Sequence, residues 1–236
     1  MKGLRLLALL ASCLVASCID GREEVWIHAD GSGRAEVLYS LPAAAASFQG
    51  GETGVQRLIE GFLRDAPAIH SARCEVTTAD DRLHIRVRAA FDSALDLQQI
   101  STSGSLSKLP APATGLAGDV RVLRQGLGVD FSRTITAGEA LPGFRFLPES
   151  RVAGHRLTYL IHLPAAASES NATRTEDDGR TLIWEIPLAT ALRGPVVTRF
   201  KAPVPVPLWV VATGCGIGVL GVFLVWKLFR AKSPAA

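Results

Sequence analysis

The chain has 236 residues, with 25 lysines and arginines against 22 aspartates and glutamates, and a formal net charge of +3. Five of the cations, Lys2, Arg5, Lys227, Arg230 and Lys232, lie in two apolar terminal segments, so the remaining 20 face all 22 acidic residues. This balance leaves no basic surface for nucleic acid, and the roughly 185 residues in between suffice for one domain or two small ones.

The first segment has the pattern of a secretory signal that ends at a lipidation site. Two cations, Lys2 and Arg5, precede an uncharged apolar stretch, and Val15-Ala16-Ser17-Cys18 places small residues directly before a cysteine. This pattern predicts that residues 1–17 are a lipoprotein signal peptide, that diacylglycerol is attached to Cys18, and that the new amino terminus is acylated, for example by palmitate. Ordinary cleavage without lipidation and an uncleaved signal anchor are the alternatives.

Residues 25–29 and 34–39 are the first predicted strands. They are joined by Asp30-Gly31-Ser32-Gly33, in which glycine accepts positive φ without a steric cost. A calcium loop is the alternative for this tetrapeptide, but one carboxylate is too few to hold the ion. We therefore predict a hairpin.

Residues 52–65 are the best-patterned helix of the chain, and Pro67 ends it. Its apolar residues recur at a helical period and form one stripe. They are Val55, Leu58, Ile59, Phe62 and Leu63. We expect this stripe to be core that packs on the sheet. The alternative is a groove between helix and sheet that accepts an acyl chain.

Residues 69–78 and 82–90 are predicted to form a second antiparallel pair. The second of these strands alternates Leu83, Ile85, Val87 and Ala89 with Arg82, His84, Arg86 and Arg88. Period two of this quality predicts one dry and one solvated face, with His84 in solvent. Cys74 falls on the apolar side of its strand and is expected to be a small core residue. No other cysteine remains in the exported part, so neither an intramolecular disulfide nor a Cys-based zinc site can form there.

The rest of the chain continues with predicted strands and ends in a proline-rich connection. The strands are residues 119–123, 127–136, 156–163 and 181–188, the segment 92–100 is a short helix, and 101–118 and 164–178 are loops. Residues 193–207 hold four prolines, which predicts a stiff polyproline II stalk of about 3.1 Å per residue. Residues 18–192 are thus expected to be one α+β domain, whose antiparallel sheet of about eight strands is packed by one main helix.

Residues 208–226 carry no charge, which predicts a transmembrane helix, because about 20 apolar residues cross a bilayer. Trp209 and Trp226 lie near its two ends, where indoles favour the membrane interface. Lys227 and Arg230 follow, so residues 227–236 are expected to be a basic cytoplasmic tail. The alternative of a buried core helix fails because the segment has no polar face.

The sequence lacks the common catalytic motifs HExxH, GxGxxG and GxSxG and has no P-loop. Ser105-Leu106-Ser107-Lys108 matches the Ser-x-x-Lys of penicillin-binding enzymes, but it lies in a Ser/Gly-rich loop and no Lys-Thr-Gly follows. The five histidines have no helical ligand spacing. We predict no catalytic, cofactor-binding or metal-binding residue and expect a protein that is not an enzyme, with an enzyme of unrecognised type as the alternative.

Three features together resemble the LppM-like (DUF3153-type) family of bacterial envelope lipoproteins. The first is the lipidation site followed by residues 25–33, VWIHADGSG. The second is Leu163-Pro164, then Ser170-Asn171-Ala172, then residues 178–184, DGRTLIW. The third is a single terminal span with a basic tail. This resemblance implies an α+β extracytoplasmic domain that binds lipids or envelope glycolipids, and it carries no catalytic residues to transfer.

The expected function is that of a membrane-tethered binding or assembly module. It would be held by the lipid on Cys18 and by the terminal span, with its main domain on the outer face of the bacterial cytoplasmic membrane. A lipid, a glycolipid or a membrane protein is the expected partner, and no cofactor or nucleic acid is expected. The alternatives are the unrecognised enzyme and an accessory subunit of a transmembrane receptor. The sequence leaves the oligomeric state open.

Overall fold

In the computed structural model the described residues are 19–43, 50–66, 68–99, 115, 117–140 and 148–203. They form eleven strands and four short or medium helices. The strands are β1 (Asp20–Ile27), β2 (Gly33–Pro42), β3 (Ser71–Ala79), β4 (Arg82–Phe91), β5 (Asp119–Gln125), β6 (Gly128–Ile135), β7 (Arg156–His162), β8 (Glu169–Ser170), β9 (Arg174–Glu176), β10 (Thr181–Pro187) and β11 (Val196–Pro203). The helices are α1 (Gly51–Asp65), α2 (Ala137–Ala140), α3 (Glu149–Val152) and α4 (Leu188–Arg193), with 3-10 turns at Ala94–Leu97 and Asp177–Gly179.

The strands form two sheets, whereas the sequence predicted one. Seven of them form a sheet in the order β3-β4-β2-β1-β7-β10-β9, and four form a second sheet in the order β5-β6-β11-β8. The expected antiparallel order also fails at one place, because β1 and β7 pair in parallel, with Glu23 beside Tyr159. The domain is therefore mostly β, and its larger sheet is mixed.

The hairpins follow the predicted turns. The β1–β2 turn closes with a hydrogen bond from the His28 amide to the Ser32 carbonyl at 2.8 Å, and Gly31 has a φ of 88°. Asp30 Oδ1 accepts hydrogen bonds from the Ser32 amide and hydroxyl at 3.0 and 2.7 Å. The β3–β4 turn passes through Asp80 and Asp81, both with positive φ. Local turn chemistry thus sets the register of both pairs.

The main core lies between the two sheets. Alternate residues of β7 are buried, and their cross-strand partners on β10 point the same way. We call this the inner face of the seven-stranded sheet and the opposite side its outer face. The inner face meets the second sheet in one hydrophobic cluster that includes Leu157, Tyr159, Trp184, Ile135 and Phe200.

Helix α1 covers the same inner face at the β3–β4 end of the sheet. Val55 and Leu63 are buried in a cluster with Cys74, Val76 and Leu83, and Ile59 and Phe62 pack against it. Four of the five residues of the predicted stripe therefore pack in the core against the sheet, as expected, while Leu58 is half-buried and lies outside this cluster. Burial raises the pKa of the Cys74 thiol to about 11, which fits a core cysteine.

The proposed polyproline stalk is wrong for most of its described length. Residues 196–203 form strand β11, which pairs with β6 from Val196 opposite Ile135 to Pro203 opposite Gly128. Phe200 is 2% exposed and stacks on Phe131 with ring centroids 4.9 Å apart. Pro203 is the last residue of the strand, a position that needs no further ladder donor. The folded domain therefore extends to residue 203.

The polar segment 164–178, expected to be a loop, contains the short strands β8 and β9. Asn171 connects it to the second sheet: its side chain accepts hydrogen bonds from the Trp184 indole at 2.9 Å and from the Arg199 amide at 2.7 Å. In the described part of the chain, no helix is long and apolar enough to cross a membrane. The predicted span 208–226 lies outside the described residues.

Candidate functional site

The outer face of the seven-stranded sheet carries the candidate site. Cross-strand partners place Thr158 beside Arg22, Arg22 beside Leu38, and Leu38 beside Arg86. Neighbours across a sheet project from the same face, so these side chains form one row over β7, β1, β2 and β4. Helix α1 and the second sheet both pack on the inner face, so neither of them covers this row of side chains on the outer face.

A cleft of about 530 Å³ lies over this row. Arg22, Arg86 and Arg156 contribute to its lining from three different strands, and Leu38 gives it an apolar patch. His84, which was expected in solvent, is exposed and also lines the cleft. Asp20 and Glu75 line the cleft as well, so its chemistry is that of three guanidinium groups and two carboxylates around a small apolar centre.

Each of these arginines has a carboxylate partner. Arg22 Nη2 lies 2.8 Å from Glu24 and Arg86 Nε lies 2.9 Å from Glu36, while Arg156 Nη1 is 3.8 Å from Glu185. A guanidinium has five N–H donors, so one carboxylate leaves donors free for an anion. Arg156, with the longest contact, is held least tightly.

Hydrogen bonds keep two of the acidic partners, Glu24 and Glu36, ionised. Burial raises the pKa of Glu24, but hydrogen bonds from Arg22 and His162 outweigh it and hold the pKa below its ordinary value. The Arg88 hydrogen bond is the main cause that lowers the pKa of Glu36. The outer face therefore carries fixed charges of both signs at neutral pH.

Side chains from four strands contact one another at one end of the outer face. The Trp26 indole stacks on the His162 ring with centroids 5.2 Å apart and an interplanar angle of 9°, and the Arg34 guanidinium lies 4.4 Å from the Trp26 ring centroid. His162 Nε2 is 2.8 Å from Glu24 Oε1, and its Nδ1 is 3.1 Å from the Thr181 hydroxyl. These contacts tie β1, β2, β7 and β10 together beside the cleft.

A second polar group lies on the inner face, between the sheets. Arg133 of β6 makes two hydrogen bonds to the Glu23 carboxylate of β1, one of them from Nη2 at 3.2 Å. Its Nε donates to the Ala117 carbonyl at 2.8 Å, and the Tyr39 hydroxyl donates to Glu23 Oε1 at 2.6 Å. The guanidinium also lies 5.0 Å from the Tyr159 ring centroid. We call Glu23, Arg133, Tyr39 and Tyr159 the inter-sheet network.

Burial dominates the electrostatics of the inter-sheet network. It raises the pKa of Tyr39 well above the ordinary value, and the nearby Glu23 charge adds to this effect. Burial also raises the pKa of Tyr159. For Arg133, burial disfavours the cation, but the Glu23 charge outweighs it and raises the pKa. The network therefore holds one ion pair and neutral phenols, an arrangement suited to fixing two sheets together.

The site residues named from the sequence lie outside this geometry. Cys18, Trp209, Trp226, Lys227 and Arg230 are not among the described residues, so the lipidation site and the membrane anchors stay predictions. In the described part of the chain, no group of three or more His, Cys, Asp or Glu side chains could hold a metal ion.

Sequence reasoning missed the cleft and the inter-sheet network. A signal for the network was present, because Glu23 interrupts the inward series Gly21, Val25 and Ile27 of β1. The cleft arginines had no such signal: an arginine on a solvated strand face is ordinary until the order of the strands is known.

No protein-family model matches this chain, and no curated protein matches it in sequence. Among solved structures, the chain is similar to the folded domain of LppM from Mycobacterium tuberculosis, solved by NMR, at 12% identity and a TM-score of 0.51. That match covers 81% of this chain and 93% of the LppM domain.

Two other matches have much lower TM-scores. An M1 zinc metallopeptidase from Deinococcus radiodurans reaches 0.30 at 14% identity, over 79% of this chain and 43% of the peptidase. The Fcho1 mu homology domain from Danio rerio, bound to an Eps15 peptide, reaches 0.28 at 12% identity, over 81% of each chain. TM-scores this low do not indicate a common fold.

The match to the LppM domain shows that the described domain has an LppM-like fold. The resemblance seen in the sequence is therefore confirmed at the level of the fold.

Proposed function

We propose that this protein is a membrane-tethered lipoprotein of the bacterial envelope whose domain binds the anionic headgroup of a lipid or glycolipid. The observation that carries the proposal is the outer-face cleft, which Arg22, Arg86 and Arg156 line together with Leu38. The LppM-like fold supports an envelope lipoprotein, and the predicted anchors at Cys18 and residues 208–226 would keep the domain near the bilayer.

The volume and the charged lining of the cleft favour a headgroup over an acyl chain. Its volume of about 530 Å³ lies in the range of about 300–1,000 Å³ that is usual for small-molecule sites. Planar guanidinium groups suit phosphate and carboxylate, because they bind them through two parallel hydrogen bonds. The apolar stripe of α1, in contrast, is packed against the sheet, so the proposal leaves acyl chains in the membrane.

Tethering close to the bilayer lowers the affinity that the domain needs for a headgroup. A domain tethered close to the bilayer meets headgroups at a high effective concentration, so modest affinity suffices. The proposal includes no catalytic step and no cofactor.

Native mass spectrometry of the full chain tests the proposal. The chain is purified from a bacterial envelope in a mild detergent, exchanged into phosphatidylcholine nanodiscs with one tenth phosphatidylglycerol, and released in the spectrometer. We expect the wild type to retain phosphatidylglycerol preferentially and the triple variant Arg22→Gln/Arg86→Gln/Arg156→Gln to lose this preference.

The matched control removes three arginines that neither line the cleft nor share a carboxylate with a residue that does: Arg121→Gln, Arg174→Gln and Arg193→Gln. It makes the same change in net charge and should keep the preference. Equal retention by both triple variants would mean that general charge, or the membrane span, holds the lipid, and it would refute the cleft as the site.

A further inference from the structure

Strand β3 is an edge strand of the seven-stranded sheet. It has nine residues and pairs with β4 in an unbroken register, from Ser71 opposite Ala90 to Ala79 opposite Arg82. Among the described strands only β4 pairs with it, while β9, at the other end of the sheet, has only three residues. Long regular edges present a row of backbone donors and acceptors that another strand can use.

A groove of about 830 Å³ runs along this edge. Residues 71–77 line it on the strand side, and α1 lines it from above with Glu60 and Arg64 among its side chains. The β3 edge is therefore bordered by a helix that does not close it off.

The sequence of β3 is complementary to itself. In an antiparallel pair with a two-fold axis at Cys74, Arg73 of one copy lies opposite the partner's Glu75. Ala72 then lies opposite the partner's Val76, and Cys74 lies opposite the partner's Cys74. Opposite charges in such positions stabilise a strand pair, and like charges destabilise it.

The charges concerned are available in the single chain. Arg73 Nε lies 3.1 Å from Glu75 Oε1, and their side chains are 76% and 44% exposed. Pairing would set two such couples side by side on the outer face, with signs alternating along and across the strands. On the inner face the opposed residues are small or medium-sized, which allows the backbones to approach.

We infer that β3 is a homodimerisation edge, at which a second copy of this chain pairs antiparallel and joins two seven-stranded sheets into one. A two-fold axis makes the same patch serve both subunits, so the interface closes at a dimer. The headgroup cleft lies mainly over β1, β2, β4 and β7 but is also lined by Glu75 and Thr77 of β3, so the charge-swap variant is assayed for phosphatidylglycerol retention as well as for linkage. Loss of one property without the other separates the two proposals.

Cross-linking of the full chain tests the inference. Directly opposed Cα atoms in an antiparallel pair are about 4.5–5.5 Å apart, within the range of a disulfide. Cys74 is buried, so the linkage is read at two exposed positions that oppose each other in the same register, in the variant Ser71→Cys/Thr77→Cys. Copper-phenanthroline oxidation of this variant in detergent micelles should produce an intermolecular disulfide between positions 71 and 77, identified by mass spectrometry of the linked peptides. Because this linkage is read at one defined pair of positions, association through the membrane span alone would not produce it.

Charge variants provide the stringent part of the test. Arg73→Glu places glutamates opposite each other at two positions, and we expect the association constant to fall by about tenfold or more, with a matching loss of linkage. The charge swap Arg73→Glu/Glu75→Arg restores both pairs and should restore it. Arg174→Glu is the matched control, because Arg174 forms the same kind of pair with Glu176, also at 3.1 Å, on β9.

Restored linkage in the swap, with an unchanged control, would support the dimer. All charge variants are made in the Ser71→Cys/Thr77→Cys background. Linkage that persists in Arg73→Glu, a swap that folds but does not link, or linkage of positions 71 and 77 to a different protein would each overturn it. Thermal unfolding of every variant shows whether the domain is intact.

Discussion

The inter-sheet network predicts that one mutation is worse than two. Glu23 and Arg133 have side chains 13% and 14% exposed, so the pair is largely removed from water. Removing one partner of a buried pair leaves an uncompensated charge, whereas replacing both by apolar groups removes the charge as well. We therefore expect Glu23→Leu/Arg133→Met to be more stable than Arg133→Met alone.

The magnitude follows from the partners that remain. Arg133→Met leaves the Glu23 carboxylate with the Tyr39 hydroxyl as its hydrogen-bond donor, and breaking a buried pair costs about 3–5 kcal/mol. The second mutation removes that carboxylate, and the group that it newly leaves unsatisfied is the Tyr39 hydroxyl, at about 1–3 kcal/mol. For a domain of this size the single variant should lower Tm by roughly 6–20 °C, and the second mutation should recover part of it.

Thermal unfolding followed by circular dichroism measures both effects, with the full chain in one detergent throughout. Tyr39→Phe added to the double variant removes the hydroxyl that lost Glu23 as its acceptor and should raise Tm again. A double variant that loses as much as the sum of Glu23→Leu and Arg133→Met would show that the pair is not coupled, and the reasoning from burial would fail.

Three further predictions concern the core. Phe200→Ala should cost about 3–5 kcal/mol in unfolding free energy, measured by urea denaturation, while Val197→Ala on the same strand, 44% exposed, should cost little. If Phe200→Ala and Val197→Ala had equally small effects, strand β11 would not be part of the core, and the predicted stalk would stand. Gly33→Ala should lower Tm, because the added Cβ would lie 2.2 Å from the Trp26 carbonyl oxygen; an unchanged Tm would contradict that packing. In the native chain Cys74 should react with iodoacetamide half-maximally near pH 11 rather than near its ordinary value of 9.0, as read by peptide mass spectrometry, and a midpoint near 9 would show an accessible thiol.

Elements defined by neighbouring residues could be predicted from the sequence. The Asp30–Gly33 turn, the alternation around His84 and the stripe that includes Val55 and Leu63 each depend on a few consecutive side chains. Hairpin register and helix amphipathicity are local properties, so the sequence contains them directly.

The partition into two sheets could not be predicted in the same way. The parallel pairing of β1 with β7 joins Gly21 to Leu157 across more than half of the chain, and no local pattern encodes it. Strand β11 was hidden by prolines: Pro195 precedes it and Pro203 ends it, so both lie where strands accept proline.

The candidate site depends on that missing information. Arg22, Arg86 and Arg156 lie far apart in sequence and become neighbours only through the strand order. The inter-sheet network is intermediate, since Glu23 is out of place on an inward position, but its partner Arg133 is on a strand of the other sheet.

The burial of Ile19 has a mechanical consequence. Ile19 is 2% exposed and packs with Val152, Leu188 and Leu192, so the compact body starts one residue after Cys18. If Cys18 is acylated as the sequence predicts, almost no linker separates the lipid anchor from the folded domain, because one residue spans at most about 3.6 Å. The domain would then keep one side towards the bilayer, rather than reorient freely as it would on a long linker.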